Sequence, residues 1–277
     1  MNNNCEKFTL KKLFSSLQLE IKEAGLVQCG DSWQCKNKIW NNNQLYYVID
    51  GEFRLITDGI NKIIRQGQMV LIPAGLPVTC EKTAENKLFK YWVKFTSDIN
   101  STNIFNLIKT DYIITIEDQK SAEDLFYYMI FKNNCVAPEA QLMYRNAYLM
   151  MILALYIDNA ATGNITLTHS EIDFERIISY MYDNMHTDIS ISDISSIAHL
   201  SNDYFSQLFK KIFLVSPIKF LNEMRIERAR DLLEENSLTI AEVASKVGFN
   251  DISYFNKTFK EIIGYSPKNQ KSYTSIT

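Results

Sequence analysis

The amino-acid sequence predicts an α+β protein in which a small β-barrel half is followed by helices and then by an all-α C-terminal region. Three observations carry that prediction. Residues 45–95 read as short apolar strands punctuated by Gly, Asp-Gly and Pro signals; residues 121–159 hold apolar side chains at helical spacing; and one helical unit near residue 200 recurs near residue 250.

At 277 residues the chain has room for two domains of roughly 100–200 residues, each with its own core. No basic start leads into an apolar stretch with a small-residue cleavage site, and the longest apolar run, 148–157, is shorter than the ~20 residues a bilayer requires. The expectation is a cytoplasmic protein without a membrane partner. Five cysteines (Cys5, Cys29, Cys35, Cys80, Cys135) are odd in number and form no CxxC pair, which argues against a disulfide framework or a zinc site.

In the β half, LYYVIDGEFRLITDG (45–59) carries two Asp-Gly hairpin signals flanking a strand, and Gly67 and the segment from Pro73 to Pro77 punctuate further apolar strands. Turns at this spacing suggest a barrel or sandwich. From Ser121 the period becomes helical, with Leu125, Phe126, Met129 and Ile130 on one face; a second helix runs from Pro138 to about Asn159 through Leu142, Tyr144, Leu149, Leu153 and Tyr156. So much apolar surface needs either a second chain or the chain's own barrel against it. The small, polar segment 160–168 reads as an interdomain linker, giving domains at 1–160 and 170–277 with residues 161–169 between them.

The C-terminal repeat is the most specific feature. YFSQLFKKIFLVSP (204–217) recurs as YFNKTFKEIIGYSP (254–267) with seven of fourteen positions identical, and upstream ISDISSIAHLS (191–201) matches IAEVASKVGFN (240–250). A short helix, a tight turn and a longer helix form a helix-turn-helix. Thr239 and Glu242 make a capping box, Gly248 supplies a turn, and Ser201 and Asn250 are candidate caps for the longer helices. Phe205, Leu208, Phe209 and Ile212, like Phe255, Thr258, Phe259 and Ile262, fall on one face and are expected in the core. The other face offers Asn202, Asp203, Ser206, Gln207, Lys210 and Lys211 in the first copy and Ser253, Asn256, Lys257 and Lys260 in the second. Such side chains hydrogen-bond base edges or phosphates of double-stranded DNA. A solvated polar face would explain one such helix, but the same face in two matched units favours DNA. The net charge of −3 is mildly against a nucleic-acid partner, and between residues 204 and 271 eleven bases face eight acids, so recognition must depend on where the charges point. Between the units, Ser216-Pro217 starts a helix that keeps its period through Phe220, Leu221, Met224, Ile226, Ala229, Leu232 and Leu233. About twenty residues at ~1.5 Å each span roughly 30 Å, close to the ~34 Å between successive major-groove faces.

RIERARDLL (225–233), IAEVASKVGF (240–249), SYFNKTFK (253–260) and GYSP (264–267) resemble the DNA-binding domain of the AraC/XylS family of bacterial regulators, over residues 189–273. The first unit departs from the family pattern at Ser195, where Ala is usual, at His199, where Gly is usual, and at Leu214, which corresponds to Gly264 in the second copy. Gly51, Gly67, VLIPAGLP (70–77) and YWVKF (91–95) are similar to the cupin-type sensor half of the same family. The resemblance implies a transcription regulator, an activator or a repressor, that recruits or blocks RNA polymerase, forms a homodimer through helices 121–159, and is controlled by a small-molecule effector such as a sugar. In sugar-sensing relatives a tryptophan on the strand resembling YWVKF stacks on the effector, which singles out Trp92, with Trp33 and Trp40 as further candidates; an alternative is that Trp92 only fills the barrel. A regulator with a fatty-acid-like effector, or with none, also fits the sequence.

Many cupins are metalloenzymes, so an oxygenase or isomerase is the rival class. All three histidines (His169, His186, His199) lie outside the β half, and Val78 and Thr79 stand where a histidine commonly follows the proline of this motif. The expectation is therefore no catalytic residue, no metal and no cofactor. DNA-repair methyltransferases that share the DNA-binding architecture need a reactive cysteine cluster, which the spacing of the cysteines does not supply.

Overall fold

The computed structural model describes residues 3–83, 87–99, 102–132, 137–160, 166–167, 173–235 and 237–274. The chain divides into two compact units: Ser16–Leu167, and a second made of Met1–Ser15 together with Thr168–Thr277. Helix α1 (Asn3–Ser15), expected within the β half, thus groups with the C-terminal helices. Packing accounts for the difference. Phe8 meets Phe220 edge-on at 5.3 Å, the Cys5 thiol donates to the Ile178 carbonyl, and Lys12 pairs with Glu223 at 2.7 Å.

In the first unit twelve strands follow in order among the described residues: β1 (Gln18–Cys29), β2 (Gln34–Ile39), β3 (Asn43–Asp50), β4 (Glu52–Thr57), β5 (Ile60–Arg65), β6 (Gln68–Ile72), β7 (Pro77–Lys82), β8 (Leu88–Ile99), β9 (Thr102–Asn103), β10 (Ile108–Lys109), β11 (Ile113–Thr115) and β12 (Thr166–Leu167). One antiparallel sheet runs β1-β8-β3-β6-β11 with β9 on β8, a second runs β2-β7-β4-β5, and β10 pairs with β12. Because side chains alternate along a strand, β8 serves two cores. Leu88 faces the second sheet in a cluster with Tyr46, Val48, Phe53, Leu55, Val70 and Val78. Tyr91, Val93 and Phe95 face the other way, onto helices α2 (Gln119–Phe131) and α3 (Pro138–Ala160).

Of the two expected hairpins, Asp58-Gly59 closes β4 onto β5, both residues taking positive φ. Asp50-Gly51 does not make one. β3 already has β8 on one side and β6 on the other, so at Gly51 the chain leaves one sheet for the second. Part of the expected linker is also structured: Thr166 and Leu167 pair with Lys109 and Ile108, and Leu167 is buried, whereas 161–165 and 168–170 lie outside the described residues, as do Cys135 and His169. On α3, Leu149, Leu153 and Tyr156 pack on the unit's own sheet, while Leu142, Met143, Tyr144, Met150 and Met151 are exposed.

The second unit continues with α4 (Phe174–Asp183), α5 (Ile191–Ile197), α6 (Asn202–Phe213), α7 (Pro217–Glu234), α8 (Ile240–Lys246), α9 (Ile252–Ile263) and α10 (Pro267–Thr274). Capping boxes at Ser190/Asp193 and Thr239/Glu242 start α5 and α8. The connector α7 begins with Pro217 after the Ser216 cap, and Phe220, Leu221, Met224, Ile226, Ala229, Leu232 and Leu233 are all buried. Its 18 residues span about 27 Å at ~1.5 Å each.

Candidate nucleic-acid interface and aromatic cluster

The repeated unit is a 7-residue helix followed by a 12-residue helix, α5–α6 and then α8–α9. Phe205, Phe209 and Ile212 of α6 are buried, as are Phe255, Thr258 and Phe259 of α9. Leu208 is half-buried, and Ile262, expected in the core, sits exposed at the edge while its neighbour Ile263 packs inward. With the phenylalanines anchoring one side, the opposite side of each helix is left to solvent. Asp203, Gln207, Lys210 and Lys211 are exposed on α6 and Ser206 is half-buried; Ser253, Asn256, Lys257 and Lys260 are exposed on α9. The lysines at 210, 211 and 260 fall in the last turns, where the helix dipole favours positive charge.

Asn202 differs from the other candidates. Its carbonyl oxygen accepts from Ser195 Oγ at 2.6 Å and its amide donates to Ser192 Oγ at 2.9 Å, so the side chain fastens α6 to α5. Ser195, which departs from the family's usual alanine, therefore has a local partner that an alanine would not need.

The cap of α9 is Asp251 rather than Asn250: its side chain accepts from the backbone N–H groups of Ser253 and Tyr254. Four residues separate Ile197 from Asn202, but five separate Lys246 from Ile252, so the second turn is one residue longer and its cap moves accordingly. Arg225, one of the bases in the sequence balance, is no candidate for phosphate. It is buried, donating from Nε to the Met185 carbonyl at 2.8 Å and from Nη2 to the Thr187 carbonyl at 2.7 Å, with its guanidinium over the Phe249 ring. Burial lowers its pKa, against a weaker upward influence of Asp188 and Tyr254.

In the β unit Trp33, Trp40 and Trp92 all pack, half-buried, against the single cluster between the two sheets. Trp92 stands opposite Gly25 of β1, whose missing side chain leaves room for the indole edge. Two residues before Trp92 on the same face lies Lys90, which the sequence reading passed over. Only 3% exposed, its Nζ is 3.5 Å from the centre of the Tyr46 ring and 4.3 Å from that of Trp33, with Phe53 at 5.7 Å. Burial pulls its pKa down to about 8, against a weaker upward influence of the Cys29, Cys80 and Cys35 thiols. Cys35 and Cys80 face each other across β2 and β7, and the hydrogen bond between them lowers the pKa of Cys35 and raises that of Cys80. The signal that could have found Lys90 is the strand period of two counted back from Trp92.

A family model described as a helix-turn-helix domain matches residues 194–271. Along most of its length the chain is also similar to named regulators. The Msm operon regulatory protein of Streptococcus mutans is 21% identical, over 91% of this chain and 92% of that protein. The raffinose operon transcriptional regulatory protein RafR of Pediococcus pentosaceus is 26% identical, over 87% and 88%. The lactose operon transcription activator of Staphylococcus xylosus is 19% identical, over 96% and 99%.

Proposed function

We propose that the chain is a DNA-binding transcription regulator of the AraC/XylS type that reads double-stranded DNA with α6 and α9, under the control of a sugar bound in the β unit. One observation carries the DNA reading: two helices of equal length expose polar faces at matched positions opposite matched buried phenylalanines. In this assignment Gln207 reads a base, Lys210 and Lys211 meet phosphate, and Asn256, Lys257 and Lys260 do the corresponding work in the next major groove, with Asp203, Ser206 and Ser253 at the flanks. Asn202 positions α6 through its serine contacts.

The sugar assignment is supported by the gathering of Trp33, Trp40 and Trp92 on one cluster, since aromatic faces suit sugar rings, and by relatives named for raffinose and lactose operons. The exposed apolar side chains of α2 and α3, among them Tyr127, Phe131, Leu142, Met143 and Met151, are assigned to a homodimer. The regulatory part is assigned to the unit at 16–167 and the DNA reader to the unit made of 1–15 and 168–277. The protein acts in the cytoplasm through RNA polymerase and without a catalytic step; among the described residues no helix is long and apolar enough to cross a membrane.

A footprint of the purified protein on the DNA upstream of its own gene, with and without candidate sugars, tests the reading. Protection of two adjacent major-groove segments, altered by a sugar, is the expected result. Absence of any protected segment at low salt would overturn it.

A further inference from the structure

The sugar reading leaves Lys90 unexplained. An ammonium carries three N–H donors and no acceptor, and burying it is costly unless oxygen atoms and an opposite charge meet it. Here it meets neither: among the described residues the Lys90 ammonium has no ion pair and no hydrogen bond, and the ionisable groups acting on it are the thiols of Cys29, Cys35 and Cys80, not carboxylates. The rings of Tyr46, Trp33 and Phe53 lend their negative faces to the charge but offer the donors no acceptor oxygen. Lysine buried at 3% exposure in an apolar cluster is not a packing residue, because a leucine or methionine would fill the same place without carrying a charge there.

We propose that Lys90 is the recognition point for an oxyanion, so that the effector is a sugar bearing a phosphate or carboxylate, its acidic group on Nζ and its ring against the neighbouring tryptophans. The proposal rests on the sugar reading above and narrows it to one chemical class. An oxyanion supplies together the two things the site lacks, acceptor atoms and opposite charge. The position suits this arrangement: Lys90 and Trp92 lie on the same side of β8 and Trp33 lies against Nζ itself, so the cation and two indoles belong to one face of the cluster. Selectivity follows from the same geometry. A neutral sugar brings acceptor oxygens but leaves the buried charge uncompensated, whereas an acidic one compensates it.

The three tryptophans are the only ones in the chain and all border the cluster, so their fluorescence reports directly on occupancy. The full-length protein is titrated with glucose 6-phosphate and galactose 6-phosphate, with glucuronate and galacturonate, and with the neutral parent sugars, following fluorescence and heat. At least one acidic sugar is expected to bind ten-fold or more tightly than its parent, the phosphate and carboxylate arms telling which oxyanion is used. Lys90→Met and Lys90→Gln are expected to abolish that ratio while unfolding as cooperatively as the wild type. Equal binding of acidic and neutral sugars by the wild type, or a ratio that survives in both variants, overturns the role of Lys90 and leaves the sugar reading standing. No response to any sugar, acidic or neutral, overturns both.

Discussion

At the turn between its helices the first helix-turn-helix unit has His199 at φ 54 where the second has Gly248 at φ 91, and after its longer helix Leu214 at φ 64 where the second has Gly264 at φ 95. The two units thus adopt the same left-handed positions with residues that tolerate them unequally, since a side chain there costs ~1–2 kcal/mol that glycine avoids. The second unit also tolerates less change around its turn. A Cβ on Gly248 would stand 2.1 Å from the Met185 carbonyl oxygen and 3.1 Å from Arg225 Nε, in the contact where Arg225 holds the chain ahead of α5. The comparison teaches that sequence similarity between repeats hides a division of roles. One copy accepts backbone strain in an open turn, and the other has a turn closed by a buried arginine.

The largest expected effect breaks the second turn. Gly248→Ala places a side chain at positive φ and against backbone, so it should destabilise the helical unit by about 3 kcal/mol. His199→Gly, at the matching place, should be neutral or stabilising. Denaturant unfolding of both full-length variants, followed by helix signal, measures the contrast. Equal losses in the two would mean that the turns are equivalent and that the close approach at Met185 carries no weight.

A second expectation sharpens the comparison on the DNA side. Gln207 has a planar amide able to pair bidentately with adenine, while the second unit has Lys257 at the matching position, within 4.0 Å of Glu261. Gln207→Ala should cost ~1–3 kcal/mol at one base pair and relax discrimination there. Lys211→Ala should weaken binding to every sequence and reduce the salt slope by roughly one unit. Binding curves over single-base operator changes at two salt concentrations separate base reading from anchoring, and Lys257→Ala measured alongside tells which of these the second unit does. Unchanged affinity and base preference in Gln207→Ala would show the assigned face of α6 to be wrong.

Much of this was legible in the sequence because it is local. The repeat, the capping box of Thr239 and Glu242, the connector and the buried phenylalanines follow from spacing alone. Asp58-Gly59 could be read as a hairpin because the turn is made by adjacent residues; Asp50-Gly51 has the same two letters, but β3 is already paired on both edges, a fact fixed by strands 20 to 50 residues away. The same limit hid the roles of Lys90 and Arg225. A lysine in a strand and an arginine in an amphipathic helix read as surface charge until partners distant in sequence, Trp33 and Tyr46 for one and Met185 and Thr187 for the other, are placed around them. Helix α1 was missed for the same reason, its anchor Phe220 lying more than 200 residues from Phe8.

The smallest effect tests whether the strain assigned to the first unit is real. Leu214 ends α6 in the left-handed conformation, its N–H donating to the Lys210 carbonyl just as that of Gly264 donates to Lys260, and it is 43% exposed, so its side chain adds little packing. Leu214→Gly removes the conformational penalty but makes the unfolded chain more flexible, two terms of similar size and opposite sign. The penalty on a branched side chain is the larger, so a gain of roughly 0.5–1 kcal/mol is expected, and Gly264→Leu should lose about as much. Thermal unfolding of the paired variants reads a small shift in opposite directions. If Leu214→Gly instead lowers stability, the exposed leucine contributes more through its remaining contacts than its backbone costs, and the asymmetry between the two units reduces to the closed turn at Gly248.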